Sequence, residues 1–122
     1  MIQENELRVG NLVLYEYHKN KDGLGFQRMT PSLFLALDKL FPIPIAEQWL
    51  LDFGFKKRNH YYVFGVFGLD IPIIVKNDQF GRYTFHLGDF YVVSIEFIHE
   101  LQNIYFVLKG EELELETKLI NP

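Results

Sequence analysis

The densest cluster of chemically capable side chains is Lys56-Lys57-Arg58-Asn59-His60-Tyr61-Tyr62. Consecutive cations can meet phosphates, and neighbouring tyrosines can stack on unpaired bases. Lys56, Lys57, Arg58, Tyr61 and Tyr62 therefore form the candidate contact with single-stranded nucleic acid, with Lys19, Lys21 and Arg28 as an extension of the basic set. The plainer reading is a solvated, charged loop between a helix and a strand. The whole-chain balance supports the plainer one: 12 Lys and Arg stand against 16 Asp and Glu, a net charge of −4. That balance argues against nucleic-acid binding by the whole surface.

A second constellation is His86 with Asp89, flanking Leu87-Gly88. An acid beside an imidazole raises its pKa and can make a general acid or base. A solvated turn pair is the ordinary outcome of that spacing. His99-Glu100 opens like a zinc-protease helix, but that motif needs a second His at i+4, and position 103 is Asn. His99 is expected instead to make a local hydrogen bond near a helix N-terminus. The other histidines, His18, His60 and His86, show no ligand spacing. The absence of Cys excludes a disulfide framework, a thiolate metal site and a Cys nucleophile. There is no GxSxG, phosphate-binding loop or dinucleotide fingerprint, and Gly65-x-x-Gly68 reads as backbone relief in a crowded aromatic sheet. The sequence thus assigns no catalytic, cofactor-binding or metal residue, and reads as a protein that is not an enzyme.

The elements that position these residues follow from pattern. At 122 residues and 48% hydrophobic content the chain is expected to fold as a single domain, 1–122. Leu7 to Tyr17 reads as a strand pair or one bent strand, interrupted at Gly10-Asn11. His18 to Gly25 is a hairpin loop and Phe26 to Met29 the return strand. Thr30-Pro31 opens a helix whose stripe is Leu33, Phe34, Leu37 and Leu40. Phe41 to Pro44 is extended, and a second helix from Ala46 ends at Gly54. Residues 61–67, 71–75, 83–87 and 90–95 read as strands of an antiparallel meander, with turns at Gly68, Asn77-Asp78 and Gly88-Asp89. The helix over 97–109 ends at Gly110, and Glu111 to Leu115 alternates like an edge strand with Leu113 and Leu115 inward. The expected architecture is α+β. A curved, mainly antiparallel sheet over 7–29, 60–95 and 111–116 carries two short central helices and the 97–109 helix.

Three stretches occur together in a recognisable way: Glu6-Leu7-Arg8-Val9-Gly10-Asn11-Leu12-Val13, Pro42-Ile43-Pro44 through Trp49-Leu50 with Phe53-Gly54-Phe55, and His99 through Phe106 with Gly110-Glu111-Glu112-Leu113. This pattern resembles small uncharacterised proteins of Bacteroides-type bacteria and their prophages and mobile elements. The resemblance implies a small soluble protein of bacterial or phage origin and carries no catalytic or ligand residue with it. The group's Thr before the second helix is replaced here by Ala46, which removes a side-chain cap.

The aromatic content, 12 Phe, 7 Tyr and 1 Trp, is large for the available interior. Strands 61–67 and 71–75 are apolar on both faces, so Tyr62, Phe64 and Phe67 are the expected oligomer surface. The functional expectation is a phage- or mobile-element-type accessory protein acting by protein contact, as a homo-oligomer or with an unknown protein partner. A single-stranded nucleic-acid module over 56–62 is the second reading, and a small-ligand or enzymatic site at His86 and Asp89 the third. Gln102, if buried in the last helix, is expected to bind the backbone of a neighbouring loop rather than a subunit interface. The most apolar run, Tyr61 to Val75, is broken by Asp70 and Pro72 and is too short to span a bilayer. The N-terminal residues lack a signal-peptide pattern, so a cytoplasmic protein with no membrane partner and no cofactor is expected.

Overall fold

The structure, a computed structural model, describes residues 2–16, 24–65, 71–78, 80 and 82–115. It is α+β, as expected, but its strands form two antiparallel sheets instead of one. The described chain divides into two compact units, one holding residues up to Pro44 with Phe97–Leu113, the other holding Ile45–Glu96. No helix among the described residues is long and apolar enough to cross a membrane.

In the first unit, β1 (Leu12–Glu16) is the centre of a sheet ordered β2-β1-β3, with β2 Leu24–Arg28 and β3 Leu40–Phe41. Gly10, at φ +99°, makes the turn before β1, and the Arg8 N–H donates to Asn11 Oδ1 at 2.6 Å. Val13 belongs to a core with Ile2, Leu7, Met29 and Leu40, against which Tyr15, Leu33, Phe34 and Leu37 pack. The expected first helix is a 3-10 helix over Pro31–Lys39, broken at Ala36 (φ −128°, ψ 39°). Thr30 does not cap it: its hydroxyl meets the Ser32 hydroxyl at 3.2 Å. Leu40, expected on the helical stripe, instead opens β3 and pairs with Tyr15.

The last helix is α2 (Ile98–Lys109), one residue shorter than expected at its start. The Glu100 carboxylate accepts from the Phe97 N–H at 3.0 Å, and Gly110 ends the helix at φ +77°. The edge strand expected over 111–115 is absent. Its alternation is real, since Leu113 is buried, but Glu112 turns back to Arg8 and takes the segment out of a ladder.

In the second unit, α1 (Glu47–Asp52) follows Ala46 without a side-chain cap. It ends in a Schellman motif, with the Phe55 N–H donating to Leu50 O, the Gly54 N–H to Leu51 O, and Gly54 at φ +101°. A five-stranded meander follows: β4 Lys56–Arg58, β5 Tyr61–Phe64, β6 Ile73–Asn77, β7 Tyr83–Leu87 and β8 Phe90–Ile95, each antiparallel to the next. Two strands lie where the sequence placed them, β7 and β8. The basic run is not a loop but the edge strand β4, turned into β5 by Asn59 at φ +51°. The strand expected over 71–75 lies at 73–77, and the first of the run ends at Phe64; Phe67 and Gly68 lie outside the described residues. Gly65 relieves no crowding, because a Cβ there would meet open space.

Candidate binding faces of the five-stranded sheet

Side chains alternate across a strand, so register decides which residues share a face. Lys57 pairs with Tyr62, Tyr62 with Val75, Val75 with Phe85, and Phe85 with Val93. A second row on this inner face runs Phe64, Ile73, Leu87, Phe90. The α1 segment engages this face: the Tyr62 hydroxyl donates to Glu47 Oε1 at 2.8 Å, and the Phe55 and Phe64 rings lie 5.0 Å apart. Burial falls off along it toward β8. Tyr62, Val75 and Phe85 are buried, but Val93 is 38% exposed and Phe90 74%. Val92, also exposed, is the extra residue of a bulge where the β7–β8 register shifts.

The outer face carries the opposite set. One row runs Arg58, Tyr61, Lys76, Thr84, Ser94, and the next Lys56, Val63, Ile74, His86, Tyr91. Every one of these residues is at least partly exposed. The five residues proposed from sequence as a nucleic-acid contact are therefore split. Lys56, Arg58 and Tyr61 share the outer face, whereas Lys57 and Tyr62 point to the inner one. Lys57 Nζ lies 2.7 Å from Glu47 Oε1, so its charge is held on the inner side. Glu47 is lowered from the ordinary carboxylate value by hydrogen bonds from Lys57 and Tyr62. Burial, then the Glu47 carboxylate, pushes Tyr62 up to about 12. Of the basic extension, Lys19 and Lys21 lie outside the described residues and Arg28 is on β2 of the other unit.

Of Tyr62, Phe64 and Phe67, the residues expected at an oligomer surface, Phe67 lies outside the described residues. Tyr62 is buried at 5% exposure and so is withdrawn from any partner surface, while half-buried Phe64 has its ring 5.0 Å from that of Phe55. Among the described residues Phe26, Phe41, Phe80, Phe90, Tyr91 and Phe106 are exposed rings, and Phe90 and Tyr91 are the two of them that lie on β8.

The histidine readings resolve differently. Nε2 of His86 meets Thr84 Oγ1 at 2.8 Å, not Asp89, and its ring stands edge-on to Tyr91 with centroids 5.7 Å apart. Burial, then the nearby Lys76, lowers its pKa and favours the neutral ring. Asp89 is exposed in the tight turn made by Gly88 at φ +57°. An acid–base pair is thus not assembled. His99 is buried and stacks on Phe97, rings 5.9 Å apart and 7° from parallel, but its Nδ1 lacks the local hydrogen bond expected of it. Burial lowers its pKa against the opposing pull of Glu100 and Glu6. No group of metal-ligating side chains occurs among the described residues.

The most elaborate polar network in the molecule lies in the first unit and sequence reasoning did not assemble it. Arg8 holds both Glu112 oxygens, Nη2 reaching Oε1 at 3.1 Å, while its Nε donates to Asn103 Oδ1 at 2.9 Å and its guanidinium lies 4.2 Å over the Phe106 ring. Asn11 Nδ2 shares the same Asn103 oxygen at 2.8 Å, and Asn103 Nδ2 donates to Glu6 O. Gln102 Oε1 accepts from the buried Leu12 N–H at 2.7 Å, the backbone role expected of it. These are the residues of the first and third stretches that carry the resemblance. Gln102 Nε2 is buried without a hydrogen-bond partner, but the other named side-chain groups are spent on one another and on the backbone, so they close the fold instead of offering a site.

No family model, curated protein or solved structure matches the chain.

Proposed function

We propose that this is a non-enzymatic accessory protein of the phage or mobile-element kind, acting in the cytoplasm through protein contact, with a second copy of itself bound across β8. The observation that carries this reading is the inner face of the meander. Its apolar rows continue onto β8, where burial ends and Phe90, Val92 and Val93 stand exposed. Phe90 to Ile95 contains no charged residue, so nothing on the strand repels a second copy. A twofold contact is self-complementary: each copy supplies the cover that the other lacks. The bulge at Val92 interrupts a continuous ladder, so the contact is a packing of side chains rather than one long sheet. Covering Phe90 in both copies contributes about 1.5–3 kcal/mol per ring.

Light scattering on the eluted protein tests this. The native chain runs as a dimer at micromolar concentration, and Phe90→Ser runs at the 14.5 kDa of one chain with unchanged circular dichroism. A native chain that is monomeric at those concentrations removes the proposal.

A further inference from the structure

We infer that the outer face of the five-stranded sheet is a binding site for single-stranded nucleic acid, a function separate from the β8 contact and independent of it. Three cations, Lys56, Arg58 and Lys76, and three rings, Tyr61, His86 and Tyr91, stand on this face. Their order across the strands is what the ligand requires. Arg58 is paired with Tyr61 and Tyr61 with Lys76, so a ring lies between two cations in one row. In the neighbouring row Lys56 stands at one edge, and His86 is paired with Tyr91 at the other. Strands about 4.8 Å apart carry the rows across the whole sheet. A strand of nucleic acid laid along them meets cations with its phosphates and rings with its bases.

Charge complementarity selects this occupant. No acidic side chain stands at any strand position of the outer face. Two acids of the unit are engaged elsewhere, and exposed Asp89 and Glu96 lie just outside the ends of β8. Glu47 is held by Lys57 and Tyr62 on the inner side, and Asp78 accepts from the Phe80 and Arg82 N–H groups in its own turn, at 2.8 and 2.9 Å. The chain's net charge of −4 therefore does not describe this face. Two of the rings are set in place in advance. Tyr91 Oη meets Ser94 Oγ at 2.9 Å, and the His86 ring is fixed by Thr84 and by its edge-on contact with Tyr91. Fixed by Thr84 and Tyr91, with burial and Lys76 favouring its neutral form, His86 serves as a stacking surface.

The test uses the full chain and fluorescently labelled single strands of thymidine DNA and uridine RNA, with a duplex of equal charge beside them. Saturable binding to the single strands is expected, with log affinity falling against log salt at a slope of about −2 for three phosphate contacts. Arg58→Gln with Lys76→Gln flattens that slope by about 1.4. Tyr61→Ala weakens binding about tenfold and leaves the slope alone, while Tyr61→Phe keeps affinity. Binding of the duplex as tight as that of the single strands overturns the stacking claim. A slope unmoved by the double substitution, or no saturable binding at low salt, overturns the site. Phe90→Ser leaves oligonucleotide binding per chain unchanged, which separates this result from the fate of the β8 contact. Arg58 and Lys76 are exposed, so their variants keep the fold.

Discussion

The two edges of one sheet differ in the property that governs whether an edge joins another chain. At one end β4 is Lys56-Lys57-Arg58, fully exposed and cationic; at the other β8 is Phe90 to Ile95, exposed over five of its six residues and uncharged. Both are antiparallel edge strands, β4 of three residues and β8 of six with a bulge at Val92, and their side chains differ most. Positive charge along β4 makes a second copy of that edge repulsive and a polyanion attractive. The uncharged β8 lacks that repulsion, so a second copy can pack against its inner-face side chains. One meander therefore offers two surfaces of opposite chemistry, and nothing in its topology alone distinguishes them.

The comparison breaks most completely at Phe90. Because a twofold contact loses the ring twice, Phe90→Ser is expected to weaken dimerisation by about 3–6 kcal/mol, readable as a dimer-to-monomer shift in sedimentation equilibrium. A second change sharpens the comparison from the other side. Arg8→Ala removes the bidentate pair with Glu112 and leaves Asn103 without its guanidinium donor, so stability falls by about 2–3 kcal/mol in a denaturant titration. The dimer fraction at native temperature is expected not to change, since this network belongs to the first unit and both edges belong to the second. Making β4 resemble β8, by Lys56→Thr with Arg58→Thr, opens the second edge. Assemblies larger than a dimer then appear in light scattering, a shift on the order of 1 kcal/mol per edge contact.

The smallest effect concerns what holds β4 in place. Glu47 is lowered in the fold from its ordinary 4.5, so its contribution is present above 4.5 and is lost as pH falls through the lowered value. Hydrogen exchange of the β4 amides should accelerate in that acid range, and Glu47→Gln should remove the pH dependence. His99 adds a separate acid sensitivity. Its folded pKa lies below 6.5, so the stability it contributes is complete above 6.5 and drains away as pH falls toward the folded value. His99→Phe should flatten that part of the stability profile.

Much of the architecture was legible because its signals are local. β7, β8, α2 and the positive-φ glycines at positions 54, 88 and 110 follow from alternation, helical spacing and turn chemistry. β4 was not legible, because three cations read as a loop until a partner strand shows that an edge tolerates them. The second sheet escaped for a related reason: β3 is two residues long and exists only through its pairing with β1. Misassignment of Tyr62 and Lys57 has one cause. Every residue from Tyr61 to Phe64 is apolar or aromatic, so the run carries no parity, and only the register with Val75 shows that Tyr62 points inward. Burial of Gln102 was anticipated from its place on α2; the Arg8–Glu112 closure spans 104 positions and had no local signature.

The absence of Cys from the chain allows the two edges to be interrogated one thiol at a time. Single variants Val93→Cys on β8 and Arg58→Cys on β4 are oxidised under identical conditions. A disulfide forms only where Cα atoms of the two copies approach to about 4.4–6.8 Å. The account predicts a covalent dimer for Val93→Cys and none for Arg58→Cys. A covalent dimer through position 58 with none through position 93 would contradict it.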